Sequence, residues 1–78
     1  GKSMQLYAGF KHDSSLNRVN TWNAEKRFSR AYIDDDNDPV IESDLDLEGG
    51  VTLGAVREFL DTFGLSVRAF RKHIGYDD

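Results

Sequence analysis

The sequence predicts a small α+β domain in which helices cover one face of an antiparallel sheet, in the order strand, helix, strand, strand, helix. Three observations lead to this prediction. Three stretches alternate apolar and polar residues with the period of two that is typical of strands. Two other stretches repeat apolar residues at helical spacing. The chain has 78 residues, which suffices for one small domain, so we expect residues 1–78 to fold as a single unit.

The first two predicted elements are a strand and a short helix. Residues 4–10 alternate and bring their apolar side chains to one face. Ser14 or Ser15 can then accept a hydrogen bond from the free N–H groups at the start of a helix, which would end near Lys26. Its thin apolar stripe is formed by Leu16, Val19 and either Trp22 or Asn23.

The middle of the chain predicts a β-hairpin. Residues 28–34 and 40–48 both alternate, and an Asp-Asn-Asp-Pro sequence separates them. Placing Ile33 opposite Ile41 matches the two apolar faces, and Arg30 would then lie opposite Asp44. The other face of the second strand would be solvated and acidic, with Glu42, Asp44, Asp46 and Glu48.

A long amphipathic helix is predicted for the C-terminal third. Gly49 and Gly50 end the strand, and Thr52 is a suitable N-cap. Gly64 lies within the helix at a cost of about 1 kcal/mol relative to Ala, which suggests a bend, a break or a close contact there. The apolar face comprises Val56, Phe59, Leu60, Phe63, Val67, Phe70 and Ile74.

Composition and charge exclude several classes of function. The chain has no cysteine, which excludes disulfides and thiolate metal sites. No stretch approaches the 18 apolar residues of a membrane helix. The net charge is −4, and eight carboxylates without any Lys or Arg lie between Asp34 and Glu48. That segment carries −8 and the rest of the chain +4, so we expect no nucleic-acid partner and no membrane partner.

A divalent-cation site is an alternative for the hairpin loop. Asp34, Asp36 and Asp38 match the first three ligand positions of an EF-hand loop. The match then fails, because Pro39 replaces the required Gly and Leu45 replaces the bidentate Glu. An Asp-rich turn beside a solvated strand explains the same residues more simply.

Nothing in the sequence predicts an enzyme. His12 and His73 lie far apart along the chain, and no G-x-S-x-G surrounds the serines. The Gly49-Gly50 pair lacks the remaining residues of a phosphate-binding loop. We therefore predict no catalytic residues, no cofactor and no small-molecule substrate.

A protein partner is the functional hypothesis that the long helix favours. Its apolar face offers more surface than a small sheet can cover, so it could bind another copy of the chain or another protein. The exposed edge of the Met4–Phe10 strand is a second candidate surface. The alternative is that both helices share one sheet face and leave no apolar surface of the long helix uncovered. The predicted partner-binding residues are Phe59, Phe63, Leu65, Val67 and Phe70.

Four segments resemble the YbjN family of small bacterial proteins, to which a role in sensory transduction is ascribed. They are residues 20–32 (NTWNAEKRFSRAY), 34–36 (DDD), 38–42 (DPVIE) and 44–52 (DLDLEGGVT). The resemblance implies an α+β fold similar to type III secretion chaperones, which commonly dimerise and bind extended partner segments. It also implies that this chain corresponds to the C-terminal part of the family's domain, without an N-terminal helix and strands.

The function predicted from residues and resemblance together is a non-enzymatic protein-binding module, chaperone-like or regulatory, in a bacterial stress or signalling context. We expect a homodimer or a complex with another protein. The compartment is left open between the bacterial cytoplasm and periplasm.

Overall fold

The computed structural model describes residues 2–12 and 15–76. Its helices and strands follow the predicted order, so the α+β prediction is confirmed. The elements are β1 (Ser3–Gly9), α1 (Leu16–Glu25), β2 (Arg30–Ile33), β3 (Pro39–Asp46) and α2 (Leu53–His73).

The three strands form one antiparallel sheet in the order β1-β3-β2, with the longest strand in the centre. Alternation along each strand gives the sheet two different faces. The inner face, which includes Ala31 and Ile41, packs against both helices. The outer face is solvated, and across it Tyr7 lies opposite Glu42, which in turn lies opposite Arg30.

The predicted hairpin register is wrong by two residues. Ile33 lies opposite Pro39 instead of Ile41, and Arg30 lies opposite Glu42 instead of Asp44. The loop is tighter than expected because the Asp34 N–H donates to the Asp38 carbonyl at 2.9 Å, which leaves only residues 35–37 outside the ladder. A shift of two preserves the side-chain period, so every residue stays on its predicted face.

Both helices begin at the hydroxyl caps that the sequence predicts. Ser15 Oγ accepts from the Arg18 N–H at 3.2 Å, and Thr52 Oγ1 accepts from the Ala55 N–H at 3.0 Å. The alternative cap, Ser14, lies outside the described residues. Helix α2 passes through Gly64 without a break, and apart from the neighbouring residues and backbone of the same helix no described atom lies within 4 Å of the place where a Cβ would stand. Neither a break nor a close contact explains this glycine.

One hydrophobic core lies between the inner sheet face and both helices. Trp22 of α1 meets Phe70 of α2 edge-on, with ring centroids 5.0 Å apart, so the aromatic rings join the two helices. Leu16, expected in the apolar stripe of α1, is 64% exposed, so the buried stripe of that helix begins at Val19. The buried cluster comprises Val19, Trp22, Ala31, Ile41, Phe63, Phe70 and Ile74.

Two buried serines connect the core to the chain between α1 and β2. Ser29 Oγ accepts a hydrogen bond from the Trp22 indole N–H at 3.3 Å. Ser43 donates its hydroxyl to the Phe28 carbonyl at 2.6 Å. Each hydrogen bond satisfies a polar group that would otherwise be desolvated without a partner, so this connection is fixed to the sheet.

Candidate protein-binding surface

The predicted partner-binding residues of α2 lie mostly inside the chain's own core. Phe59, Phe63 and Phe70 are buried, and Val67 is half-buried against the core cluster. Leu65 alone is well exposed, at 62%. Within one copy of the chain, both helices therefore share the inner sheet face, and the apolar stripe of α2 is largely used there. Partner binding by these five residues stays a prediction.

Leu65 borders a shallow groove of about 300 Å³ between α1 and α2. Phe28, which is 39% exposed, and the stems of Lys26 and Arg27 also border it. A second open depression, of about 250 Å³, lies on the N-terminal half of α2 beside Leu53 and Leu60. Both are open surface depressions with a mainly apolar surface, although Glu25, Thr62 and Ser66 also line the first and Arg57 and Asp61 the second.

Strand β1 has a free edge, and its backbone hydrogen bonds show which residues face that edge. The Leu47 N–H donates to the Lys2 carbonyl at 2.9 Å, and the Phe10 N–H donates to the Pro39 carbonyl at 3.0 Å. Hydrogen-bonded pairs alternate along an antiparallel ladder, so the even-numbered residues of β1 pair with β3. The N–H and C=O groups that point to the free edge are those of Ser3, Gln5, Tyr7 and Gly9.

No other strand lies beside β1 among residues 2–12 and 15–76. The outward backbone groups of its odd-numbered residues form no backbone hydrogen bond within that part of the chain. A row of such groups is a ready template for another strand.

The opposite edge of the sheet, on β2, is closed by a side chain from α1. The Ala31 N–H donates to Asn23 Oδ1 at 2.7 Å, and Asn23 Nδ2 donates to the Ala31 carbonyl at 2.9 Å. By the same alternation, these Ala31 groups are the ones that point away from β3. The side-chain amide thus takes the place of a fourth strand at this position.

The outer face of the sheet is acidic and carries two exposed tyrosines. Tyr7 is 71% exposed and Tyr32 is 42% exposed. Arg30 lies between two carboxylates: its Nε donates to Glu42 and its Nη2 donates to Asp44 at 3.1 Å. The hydrogen bond with Glu42, and then its negative charge, raise the pKa of Arg30 above its usual value. Asp46 follows on the same face, so β3 places three carboxylates there and Arg30 pairs with two of them.

The inner face along β1 is apolar but incompletely covered. Met4, Leu6, Ala8 and Phe10 are all half-buried, in contrast to the fully buried residues of the central strand. Leu6, Ala8 and Phe10 touch the core cluster while keeping part of their surface in solvent. Beside the free edge, apolar surface therefore continues beyond the area that the helices cover.

The hairpin loop brings three carboxylates together. Oxygen atoms of Asp34, Asp36 and Asp38 lie within 4.8 Å of one another. Asp34 Oδ1 accepts the backbone N–H groups of Asp36 at 3.0 Å and of Asp38 at 2.9 Å, so this carboxylate also holds the turn. Carboxylate oxygens suit hard cations such as Ca²⁺.

The two histidines hold the helices in place. His12 Nε2 donates to the Ile74 carbonyl at 2.8 Å, and His73 Nε2 donates to the Arg18 carbonyl at 2.6 Å. Arg18 in turn donates its guanidinium to the His73 carbonyl. These contacts join the C-terminal end of α2 to α1 and to the segment that follows β1.

A comparison with family models matches residues 3–75 to YbjN, described as "putative bacterial sensory transduction regulator". Neither the curated proteins nor the solved structures that were compared include a match to the chain. Within the part of the chain that the structure describes, neither helix has the length and apolarity needed to cross a membrane.

Proposed function

Because the chain belongs to the YbjN family, we propose that it is a regulatory binding module that captures an extended segment of another protein along the free edge of β1. The observation that supports this most directly is the difference between the two sheet edges. Asn23 closes β2 at Ala31, whereas four residues of β1 direct outward backbone groups that form no backbone hydrogen bond within residues 2–12 and 15–76. Addition of a strand to such an edge gains main-chain hydrogen bonds without requiring a deep pocket.

A regulator that works in this way needs no catalytic group. The family description is consistent with regulation by association, and the chaperone-like role expected from the sequence is one form of it. Ordering a flexible segment costs conformational entropy. The affinity gained for each unit of interface area is therefore low, and the capture is reversible. Reversible capture suits a protein that responds to a changing signal.

Two proline variants test the proposal. Gln5→Pro removes an N–H that points to the free edge, so the fold should persist while strand addition is blocked. Leu6→Pro removes an N–H that pairs with Ser43 of β3, so this variant should lose the fold. The probe is an eight-residue peptide of alternating Val and Thr, and the readout is protection of the Gln5 and Tyr7 amide protons from exchange.

We expect the peptide to protect those protons in the unsubstituted protein and to bind Gln5→Pro at least tenfold more weakly. Equal binding by Gln5→Pro, with an unchanged circular dichroism spectrum, would overturn the proposal. The native mass identifies a competing occupant. A mass near twice 8.8 kDa that Gln5→Pro halves would mean that a second copy uses the same edge.

Divalent-cation binding by the Asp34, Asp36 and Asp38 cluster is the second candidate, favoured by the proximity of their carboxylate oxygens. Calcium titration of the protein and of Asp36→Asn tests it, because Asp36 is exposed and supports no turn hydrogen bond through its side chain. Heat of binding and a rise in melting temperature that Asp36→Asn abolishes would support the site. No heat at millimolar calcium would dismiss it.

A further inference from the structure

We propose that the segment captured by β1 alternates basic and apolar residues, with Lys or Arg over the acidic outer face and apolar side chains on the helix side. This inference rests on the proposed function, since it specifies the chemistry of the strand that the edge accepts. Side chains of an added strand alternate between the two faces of the extended sheet. Each face of this sheet selects a different kind of residue.

The outer face selects positive charge. Glu42, Asp44 and Asp46 lie in a row on β3, and Arg30 is the one basic residue that the structure pairs with them in its described part. The hairpin loop adds four aspartates at the end of the same strand, between residues 34 and 38. An acidic segment would be repelled along the part of β1 that lies beside Glu42, Asp44 and Asp46, although Lys2 and Lys11 lie near the two ends of the strand.

The reach of a Lys or Arg side chain matches the spacing of the strands. Neighbouring strands are about 4.8 Å apart, so β3 lies about 10 Å from the backbone of a strand added beside β1. A long basic side chain must lean across β1 to approach those carboxylates. Ser3, which lies opposite Asp46, leaves room for it on the outer face of β1 because its side chain is small.

Tyr7 adds a second feature that favours a cation. Its ring lies on the outer face near the middle of β1 and is 71% exposed. A Lys or Arg of the added strand directly beside it can lie over the ring, and aromatic rings attract cations in this position. Within the described residues, the cation–π contacts involve Trp22 and Tyr76 and not Tyr7.

The inner face selects apolar residues. Met4, Leu6 and Ala8 line β1 on the helix side, and each keeps part of its surface in solvent. An added strand that places Val, Ile or Leu there would cover this surface and extend the core by one strand. Polar residues at these positions would gain backbone hydrogen bonds but no burial of apolar area.

Three eight-residue peptides test the inference: alternating Val and Lys, alternating Val and Thr, and alternating Val and Glu. A fourth, with the first composition in a non-alternating order, controls for general charge attraction. We expect the Val-Lys peptide to bind at least tenfold more tightly than the Val-Glu and non-alternating peptides, and its affinity to fall as salt is raised. Gln5→Pro should weaken it as well.

Variants of the sheet provide the matched test. Asp44→Asn with Asp46→Asn removes two negative charges, and the amide oxygen that the second substitution introduces can still accept the Glu48 N–H that Asp46 Oδ1 accepts now. We expect this double variant to bind the Val-Lys peptide about fivefold more weakly, since exposed ion pairs are each worth only about 0.5 kcal/mol. Its affinity for Val-Thr should not change. Glu58→Gln, exposed on α2, is the control and should bind both peptides normally.

The outcomes separate this inference from the function on which it rests. Equal binding of Val-Lys and Val-Thr, both lost in Gln5→Pro, would overturn the charge preference and leave strand capture standing. Tight binding of Val-Lys by Gln5→Pro would overturn both, because the peptide would then not be held by the edge of β1. Tighter binding of the non-alternating peptide than of Val-Lys would overturn the two-faced recognition.

Discussion

The side-chain amide of Asn23 is hydrogen-bonded through both its oxygen and its nitrogen to the backbone of Ala31. A residue near the end of a helix thereby satisfies the N–H and C=O groups that an edge strand would expose. The contact also holds the C-terminal part of α1 against β2. The outward backbone groups of β1 have no such side-chain cap within the described residues, which is why the proposed function is placed there.

Replacing Asn23 by Ala should destabilise the domain by about 1–3 kcal/mol, because the paired groups of Ala31 lose their partners. Urea unfolding followed by circular dichroism measures the change. Asn20→Ala is the control, since Asn20 is an exposed residue of the same helix and reports the effect of helix propensity alone. Equal unfolding midpoints for the two variants would show that the amide bridge contributes nothing.

Phe70→Ala should cost about 3–5 kcal/mol, because the ring is fully buried between Trp22 and Phe10. A loss of that size is a large part of the stability of a domain this small, so we expect a melting transition near or below room temperature. Thermal unfolding by circular dichroism checks it. A variant that melts within a few degrees of the unsubstituted protein would contradict the packing described for the core.

Leu65→Asp separates partner binding by α2 from folding. Leu65 is exposed, so the substitution should change the free energy of unfolding by no more than about 1 kcal/mol. Substituting a buried member of the predicted set, such as Phe63, would unfold the domain and reveal nothing about association. Light scattering of Leu65→Asp therefore tests the helix face, and an unchanged native mass and unchanged peptide binding would argue against a role for it.

Gly64→Ala should stabilise the domain by about 1 kcal/mol, since the position is helical and nothing would obstruct the methyl group. For a domain of this size that corresponds to a rise of roughly 4–8 °C in melting temperature. Gly50→Ala is the matched contrast, because Gly50 has φ +85° and Ala is strained there. A lower melting temperature for Gly64→Ala would contradict the open helical position described for this glycine.

Asp34→Ala should destabilise the hairpin by about 1–2 kcal/mol, because one carboxylate oxygen accepts two backbone N–H groups of the turn. Asp34→Asn retains an acceptor oxygen and should recover most of the loss. Asp35→Ala, at an exposed neighbouring position, serves as the control for charge. Urea midpoints that do not distinguish Asp34→Ala from Asp35→Ala would contradict this role.

The elements and their faces could be predicted because period and capping are local properties of the sequence. The alternation in β1, the Ser15 and Thr52 caps and the apolar stripe of α2 all appear where the pattern indicates. The register of the hairpin could not be read in the same way. The register depends on how tightly the loop turns. The carboxylate of Asp34 tightens the loop by accepting two backbone N–H groups, and an aspartate in a loop can form several other kinds of contact.

The candidate surface was only partly accessible to sequence reasoning. The free edge of β1 was expected, but the closing role of Asn23 carried no signal, since an asparagine late in a helix usually indicates only its end. How much of the apolar surface of α2 is covered within the chain could not be read from the sequence, because the area that α1 and the sheet cover depends on packing. The acidic outer face followed directly from alternation, because the pattern alone determines which residues share it.

Trp22 gives the protein a built-in optical reporter. It is the only tryptophan in the chain, it is 2% exposed, and Lys26 Nζ lies 5.7 Å from the centre of its ring. Indole fluorescence should therefore be blue-shifted in the native state and move to longer wavelength when the core opens. Trp22 belongs to α1 and its ring packs against α2, whereas the proposed binding edge belongs to β1. The emission of Trp22 can therefore follow folding, and Tyr7 and the amide protons of the β1 edge can follow binding.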